Sequence, residues 1–291
     1  MDKLDNIMKI VALSDLHLDY IKMRNGLSEE SIVDLLEKMK NKILSFNPDV
    51  FIFAGDISRK VKDIEIFLNV FKNLSFYKIF VPGNHDIWIE NGEDSFEKYR
   101  NILRKVSENY NFYYLPAFPL IIKNIGFVGS LGWYDYSLGG EEFSFYEYEK
   151  GKYKNLKWRE VYWKLVSFKD EKGNRLSNPE VCKIMQEDLR NQIEEIKDKV
   201  NIIVAIIHTL PFEDLIYTRN FFSAYLGSKF LGDILLENEK IKYLICGHEH
   251  NPLILNKNRI RIYRCPFGYL RNIKDWEENI LKGIKTFEII I

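Results

Sequence analysis

The sequence predicts an α/β fold with two packed β-sheets, and three observations support this prediction. Near-continuous apolar runs of strand length alternate with helical patterns in the first third of the chain. Such runs are typical of parallel strands that are buried on both faces. Short strand patterns recur up to the C-terminus and indicate a second sheet. Because no repeat or low-complexity linker divides the chain, we expect one domain over residues 1–291.

The first third contains predicted strands at 10–13, 50–54 and 78–81, separated by helices. The first helix is expected from Ser28 to Phe46, since Ser28 can cap it and an apolar side chain recurs every three or four residues. Two more helices are predicted, and they cover 61–74 and 95–109. This strand–helix order predicts a parallel sheet with helices on its face.

The rest of the chain continues the alternation after one interruption. Strands are predicted at 112–115, 120–123, 126–129, 202–207, 241–246, 253–255, 260–264 and 286–291, and helices at 178–196 and 228–237. The interruption, at about 134–178, mixes aromatic residues with acids and then, from Lys150 to Arg159, with bases. So long a connection is usually functional or an accessory cap. The basic part could bind a phosphorylated or nucleic-acid partner, but a solvated insertion is favoured.

Charge and composition restrict the function classes. The 42 basic and 42 acidic residues cancel, so no long-range field would draw the chain onto nucleic acid or anionic lipid. No apolar run approaches the length of a membrane span, and the N-terminus lacks the apolar stretch of a signal peptide. The three cysteines are widely spaced, which predicts a reducing cytoplasm and no disulfide framework.

Polar side chains directly follow five of the predicted strands. In chain order they are Asp15 and His17, then Asp56, then Asn84, His85 and Asp86, then His208, and finally His248 and His250. The carboxyl ends of the strands in an open α/β sheet form the crevice where ligands bind. Imidazole with carboxylate suits manganese, iron, zinc, cobalt or nickel. Six or seven ligands exceed one tetrahedral site, so we expect two metal ions about 3.5–4 Å apart.

The ordered set of motifs resembles the calcineurin-like metallophosphoesterases, whose pattern is D-x-H, G-D, G-N-H-D/E, a lone H and G-H-x-H. The resemblance implies a four-layer αββα sandwich of two mixed β-sheets flanked by helices. It also implies a dinuclear centre with manganese as the first expectation and iron, zinc, nickel or cobalt as alternatives. By this resemblance Asp15, His17 and His250 would hold one ion, Asn84, His208 and His248 the other, and Asp56 would bridge them.

The implied activity is hydrolysis of phosphomonoesters or phosphodiesters by a metal-bridging hydroxide, because two cations lower the pKa of a bound water toward about 7. His85 would face the leaving group and give it a proton, and Asp86 would orient the His85 ring. Arg59 could bind a substrate phosphate, although a surface role is equally compatible with its position. The expected partner is a phosphate-ester substrate, and no interaction with a membrane is expected.

Several alternatives stay open at this point. The second motif, Gly55–Lys60, and the Asp86 that ends the third motif differ from the motifs of Ser/Thr protein phosphatases. A nuclease of the same superfamily gets no support from the neutral charge. A non-catalytic scaffold on this fold would have lost the proton donor or the bridging carboxylate, and neither is lost. Trp133–Tyr136 could line the substrate pocket or pack in the core, and Pro266–Tyr269 could form a turn or a pocket rim.

Overall fold

The computed structural model describes residues 7–90, 93–154, 156–157 and 164–291. Part of the insertion predicted at 134–178, including much of its basic stretch, therefore lies outside the described residues. No helix in the described ranges combines the length and the apolar character that crossing a bilayer requires.

One sheet contains five strands in the order β13-β1-β2-β3-β4. These strands are β1 (Ile7–Leu13), β2 (Val50–Phe53), β3 (Tyr77–Phe80), β4 (Tyr113–Tyr114) and β13 (Lys285–Ile290). The pairs from β1 to β4 are parallel, and β13 runs antiparallel to β1. The C-terminal strand expected at 286–291 thus belongs to this first sheet, whereas the sequence pattern grouped it with the second.

The other sheet contains six strands in the order β11-β12-β10-β9-β6-β5. These strands are β5 (Leu120–Ile122), β6 (Ile125–Ser130), β9 (Ile202–Ile207), β10 (Ile241–Cys246), β11 (Leu253–Lys257) and β12 (Ile260–Arg264). Its central pairs are parallel and its two outer pairs are antiparallel, so both sheets are mixed. β7 (Lys152–Tyr153) and β8 (Leu156–Lys157) form a separate short antiparallel pair.

The α-helices with defined bounds in the described residues flank the sheets. They are α1 (Leu18–Asn25), α2 (Glu29–Leu44), α3 (Val61–Phe71), α4 (Ser95–Glu97), α5 (Leu103–Asn109), α6 (Phe145–Lys150), α7 (Asn178–Ile196), α8 (Lys229–Glu237) and α9 (Trp276–Gly283). A π-helical turn, Lys98–Ile102, joins α4 to α5. The sequence did not predict α1, α6 or α9, because their short apolar patterns do not stand out from those of loops.

The expected four-layer arrangement is confirmed, because three buried apolar layers separate the helices and the two sheets. Side chains alternate along a strand, so Val11 and Leu13 of β1 pack toward helices while Ile10 and Ala12 face the second sheet. The layer between the sheets also includes Val204 of β9. The outer face of the second sheet packs against α7 and α8. Both sheets are therefore covered on their two faces, as buried parallel strands require.

Gln192 of α7 supplies hydrogen bonds that a missing strand neighbour would otherwise make. The short β5 pairs only with Ile125–Phe127 of β6, so the backbone of Gly129 extends beyond it. The Gln192 amide accepts from Gly129 N at 2.9 Å and donates to Gly129 O at 3.0 Å. Its side chain is buried, so the two bonds fix α7 on the sheet in a region where water cannot replace them.

We predict that Gln192→Met lowers the free energy of unfolding by about 1–3 kcal/mol, because it leaves a buried N–H and C=O unpaired at nearly constant volume. Urea unfolding would measure the change. Asn191→Met, on the exposed side of the same helix, is the matched control and should change stability by no more than about 0.5 kcal/mol. Equal effects of the two substitutions would contradict this role of Gln192.

Candidate metal centre

The loops that follow five parallel strands meet at one edge of the two sheets, and backbone hydrogen bonds connect them. Asp15 N donates to Gly55 O at 2.8 Å and His17 N donates to Asp56 O at 3.0 Å, which joins the loops after β1 and β2. Gly247 N donates to His208 O at 3.1 Å, which joins the loops after β10 and β9. The predicted site residues are therefore held on a connected backbone, although they come from both sheets.

Asp15, His17 and His250 form one group of converging donors. The Nε2 atoms of His17 and His250 are 3.0 Å apart, and His250 Nε2 lies 3.4 Å from Asp15 Oδ1. Asp15 and His17 are almost completely buried. Their potential ligand atoms all lie within 4.8 Å of one another, so they could contact one ion.

Asp56, His208 and His248 form the second group, and Asn84 lies among them. His208 Nε2 is 3.4 Å from Asp56 Oδ2 and 3.2 Å from Asn84 Oδ1. His248 Nδ1 is 2.8 Å from the same Asn84 oxygen. The two groups are adjacent, because His17 Nε2 also lies 3.8 Å from Asp56 Oδ2. Asp56 thus stands between the two sets of nitrogen donors.

The outward-facing nitrogens of two histidines contact backbone carbonyls. His208 Nδ1 lies 2.8 Å from Ala54 O, and His248 Nε2 lies 3.4 Å from Tyr225 O. A nitrogen that donates to a carbonyl leaves the other ring nitrogen free to bind a cation. These contacts therefore direct His208 Nε2 and His248 Nδ1 toward the site, which is the arrangement that a metal centre requires.

Charges inside the site favour a bound cation. Burial alone would raise the pKa of Asp15, but the hydrogen bond and charge of His250 and the charge of His208 lower it to about 2. Burial lowers the pKa of His208, but the Asp56 carboxylate outweighs this effect and raises it to about 9. Two buried carboxylates thus stay ionised by pairing with imidazoles. Divalent ions bound at the same atoms would neutralise them instead, so the donor set fits a metal centre.

Four of the site residues have a left-handed backbone conformation. The φ angles are 57° for Asp15, 50° for His17, 62° for Asp56 and 67° for His248. Such angles cost energy in residues other than glycine and often mark functional sites. Gly83 allows the loops to approach closely, since a Cβ there would lie 2.2 Å from Asp56 Oδ1 and 2.6 Å from His208 Cε1.

The structure corrects the expectation that Asp86 orients the His85 ring. The fully buried Asp86 carboxylate accepts four backbone hydrogen bonds, from Asp56, Ile57, Ser58 and Gly83, at 2.7–3.0 Å. Burial raises the pKa of Asp86 to about 7, with the charge of Asp56 acting in the same direction. No hydrogen bond joins Asp86 to the His85 ring in the part of the chain that the structure describes. Asp86 therefore organises two loops.

A cavity of about 600 Å³ opens beside His17 and His85. Arg59 lies on its wall, and Arg59 Nε is 3.4 Å from Asp19 Oδ2. The wall also contains side chains that the sequence did not single out for this position, namely Asp19, Tyr20, Lys22, Met23, Lys60, Asp63 and Trp88. Tyr269 of the expected turn or rim lines this cavity too, whereas Trp133–Tyr136 do not line it and pack mainly in the core.

The sequence is similar to known proteins over most of its length. A family model described as calcineurin-like phosphoesterase matches residues 8–252. The DNA double-strand break repair protein Mre11 of Nanoarchaeum equitans (strain Kin4-M) is 29% identical over 150 residues, which are 47% of this chain and 41% of that protein. The chain thus covers less than half the length of this curated relative.

Solved structures share the fold at low sequence identity. The phosphopantetheinyl hydrolase of Mycobacterium tuberculosis superimposes with a TM-score of 0.70 at 17% identity, covering 97% of this chain and 96% of that one. A dimetal phosphatase from Danio rerio gives a TM-score of 0.53 at 12% identity, with 89% and 87% covered. The family match over most of the sequence shows that the chain belongs to the calcineurin-like phosphoesterase family.

Proposed function

We propose that the chain hydrolyses phosphate esters with two divalent metal ions held at the edge of the two sheets. The supporting observation is the convergence of carboxylate, amide and imidazole donors beside a cavity large enough for a substrate. Asp15, His17 and His250 would hold one ion, Asn84, His208 and His248 the other, and Asp56 would contact both. The bound ions would supply an activated water nucleophile and would neutralise charge on the phosphoryl oxygens.

We further propose that His85 gives a proton to the leaving group. Its backbone N–H donates to Asp56 Oδ1 at 2.8 Å, which fixes the residue against the candidate metal ligands, and its ring lines the cavity. Arg59 and Lys60 lie on the same wall and would attract the anionic part of a substrate. Because His85 lines the cavity, the leaving group would lie in the cavity, and the phosphoryl group would lie over the metal centre.

We also propose manganese as the native metal, a single domain over residues 1–291, and a cytoplasmic location. A mixed nitrogen and oxygen donor set without thiolate suits manganese, although iron, zinc, nickel and cobalt accept the same ligands. Elements from both halves of the chain share the apolar layers, which supports one domain. The three cysteines are buried and unpaired, which supports a reducing compartment.

A nuclease is the second candidate, because Mre11 of Nanoarchaeum equitans is a DNA repair protein and matches about half of the chain. The neutral net charge argues against strong attraction to DNA. Binding to single- and double-stranded DNA over a series of salt concentrations would separate the candidates. Tight binding that weakens steeply with salt, together with metal-dependent cleavage, would favour the nuclease.

We predict that the purified chain binds about two divalent ions per molecule and that hydrolysis requires them. Removal of metal with a chelator should abolish turnover of p-nitrophenyl phosphate or its bis ester, and added manganese should restore it. Elemental analysis and initial rates across several metals provide the measurement. A chain that binds no metal and shows no metal-stimulated turnover of any phosphoester would refute the proposed function.

Two substitutions should separate the proposed roles. His208→Ala should lose one of the two ions, because it removes a buried nitrogen that lies 3.4 Å from Asp56 Oδ2 and 3.2 Å from Asn84 Oδ1. His85→Ala should keep both ions and lower kcat for an alkyl ester by roughly 10²–10⁴. Lys38→Ala, on the exposed face of α2, is the control for both measurements. Retention of two ions by His208→Ala would show that the ligand assignment is wrong.

A further inference from the structure

The His85 ring lies against an aromatic side chain. Its centroid lies 3.9 Å from that of Trp88, with 26° between the ring planes, so the two rings are stacked. The His17 ring is arranged edge to face with it, with 4.6 Å between the ring centroids and 74° between the ring planes. In the described residues no hydrogen bond joins the His85 ring to a carboxylate, because the Asp86 carboxylate binds backbone N–H groups.

Trp88 itself is held firmly by its backbone. Trp88 N donates to His85 O at 3.1 Å, so the two residues form one turn. Trp88 O accepts a hydrogen bond of 2.7 Å from the Nζ atom of Lys98. The same ammonium donates to Arg59 O at 2.7 Å. Lys98 is only 1% exposed, so both hydrogen bonds of its ammonium are made inside the protein. One buried lysine thus joins the turn that carries His85 and Trp88 to the loop that carries Arg59.

This arrangement suits a residue that must release a proton toward a leaving group. Stacking restricts the plane of the imidazole and occupies neither ring nitrogen, whereas a hydrogen-bonding carboxylate would occupy one of them. The ring, which lines the cavity, would thus keep its plane without losing a nitrogen to a hydrogen bond. Proton transfer is sensitive to small changes in this orientation, because the donor must reach the leaving oxygen at about 2.6–3.2 Å.

We propose that Trp88 is the positioning residue for the proton donor His85, and that Lys98 fixes Trp88 by binding its carbonyl. The inference rests on the proposed function. In the step concerned, the bond between phosphorus and the leaving oxygen breaks and its electron pair stays on that oxygen. The oxygen takes a proton from the protonated His85 ring as that bond breaks, and the ring is left neutral and regains a proton from solvent.

A matched pair of substrates gives a readout that a purely structural role would not change. p-Nitrophenyl phosphate has a leaving group that departs without a proton, whereas benzyl phosphate has a similar ring but a basic alkoxide that needs one. The pair is used as monoesters or as methyl diesters, whichever the wild-type chain hydrolyses. Trp88→Leu should lower kcat for the benzyl ester by about tenfold or more and for the nitrophenyl ester by less than about threefold.

Three further variants complete the experiment. Trp88→Phe should restore most of the activity on the benzyl ester, because it keeps an aromatic face for His85. Tyr269→Leu is the matched control, since Tyr269 lines the same cavity but stacks on His17 at 4.5 Å. It should affect both substrates equally. Lys98→Met should reproduce the pattern of Trp88→Leu, and all folded variants should keep two ions by elemental analysis.

The outcomes separate this inference from the proposed function. If His85→Ala affects both substrates equally, the proposed role of His85 fails. If His85→Ala selects against the benzyl ester but Trp88→Leu does not, the positioning role of Trp88 is overturned. An increase of KM alone for Trp88→Leu, or an equal loss of kcat on both substrates, would also overturn it, because Trp88 would then act in binding or folding. A loss confined to the benzyl ester supports it.

Discussion

The carboxylate of Asp86 binds four backbone N–H groups in the loops after β2 and β3, and the arrangement of the site depends on these bonds. They bring the backbone of Asp56 against Gly83, at a distance that leaves no room for a Cβ. Asp56 then lies within reach of His17 and His208 from the two sides of the site. A buried carboxylate that does not face the candidate metal centre therefore determines where the centre can form.

The site combines local strain with rigid support. Each residue held in a left-handed conformation costs about 1–3 kcal/mol, and four of the candidate ligands are in that conformation. The strain is tolerated because the loops are bonded to one another and extend from strands buried in three apolar layers. The donors also face one another closely, as in the 3.0 Å approach of His17 and His250. Bound cations would relieve this crowding of charge and lone pairs.

Much of the site could be anticipated because its donors follow strands directly. A strand that is buried on both faces can be recognised in the sequence as an apolar run. The position where it ends, and the residues that follow it, can therefore be recognised too. The cavity wall could not be anticipated in the same way. Tyr20 lies on the unpredicted helix α1, and Trp88 lies in a turn that has no periodic pattern. The role of Asp86 was misjudged because its position next to His85 gave no information about which way its carboxylate points.

The sequence by itself determined the class of fold, the positions of most strands along the chain and the identity of the converging donors, because periodic burial and strand ends are local properties. The tertiary structure decided that β13 pairs with β1, that Asp86 binds the loops and that Trp88 stacks on His85. These are contacts between segments, or between neighbouring side chains whose directions depend on the surrounding packing. Their energies come from hydrogen bonds and ring contacts that form only when all the layers are assembled.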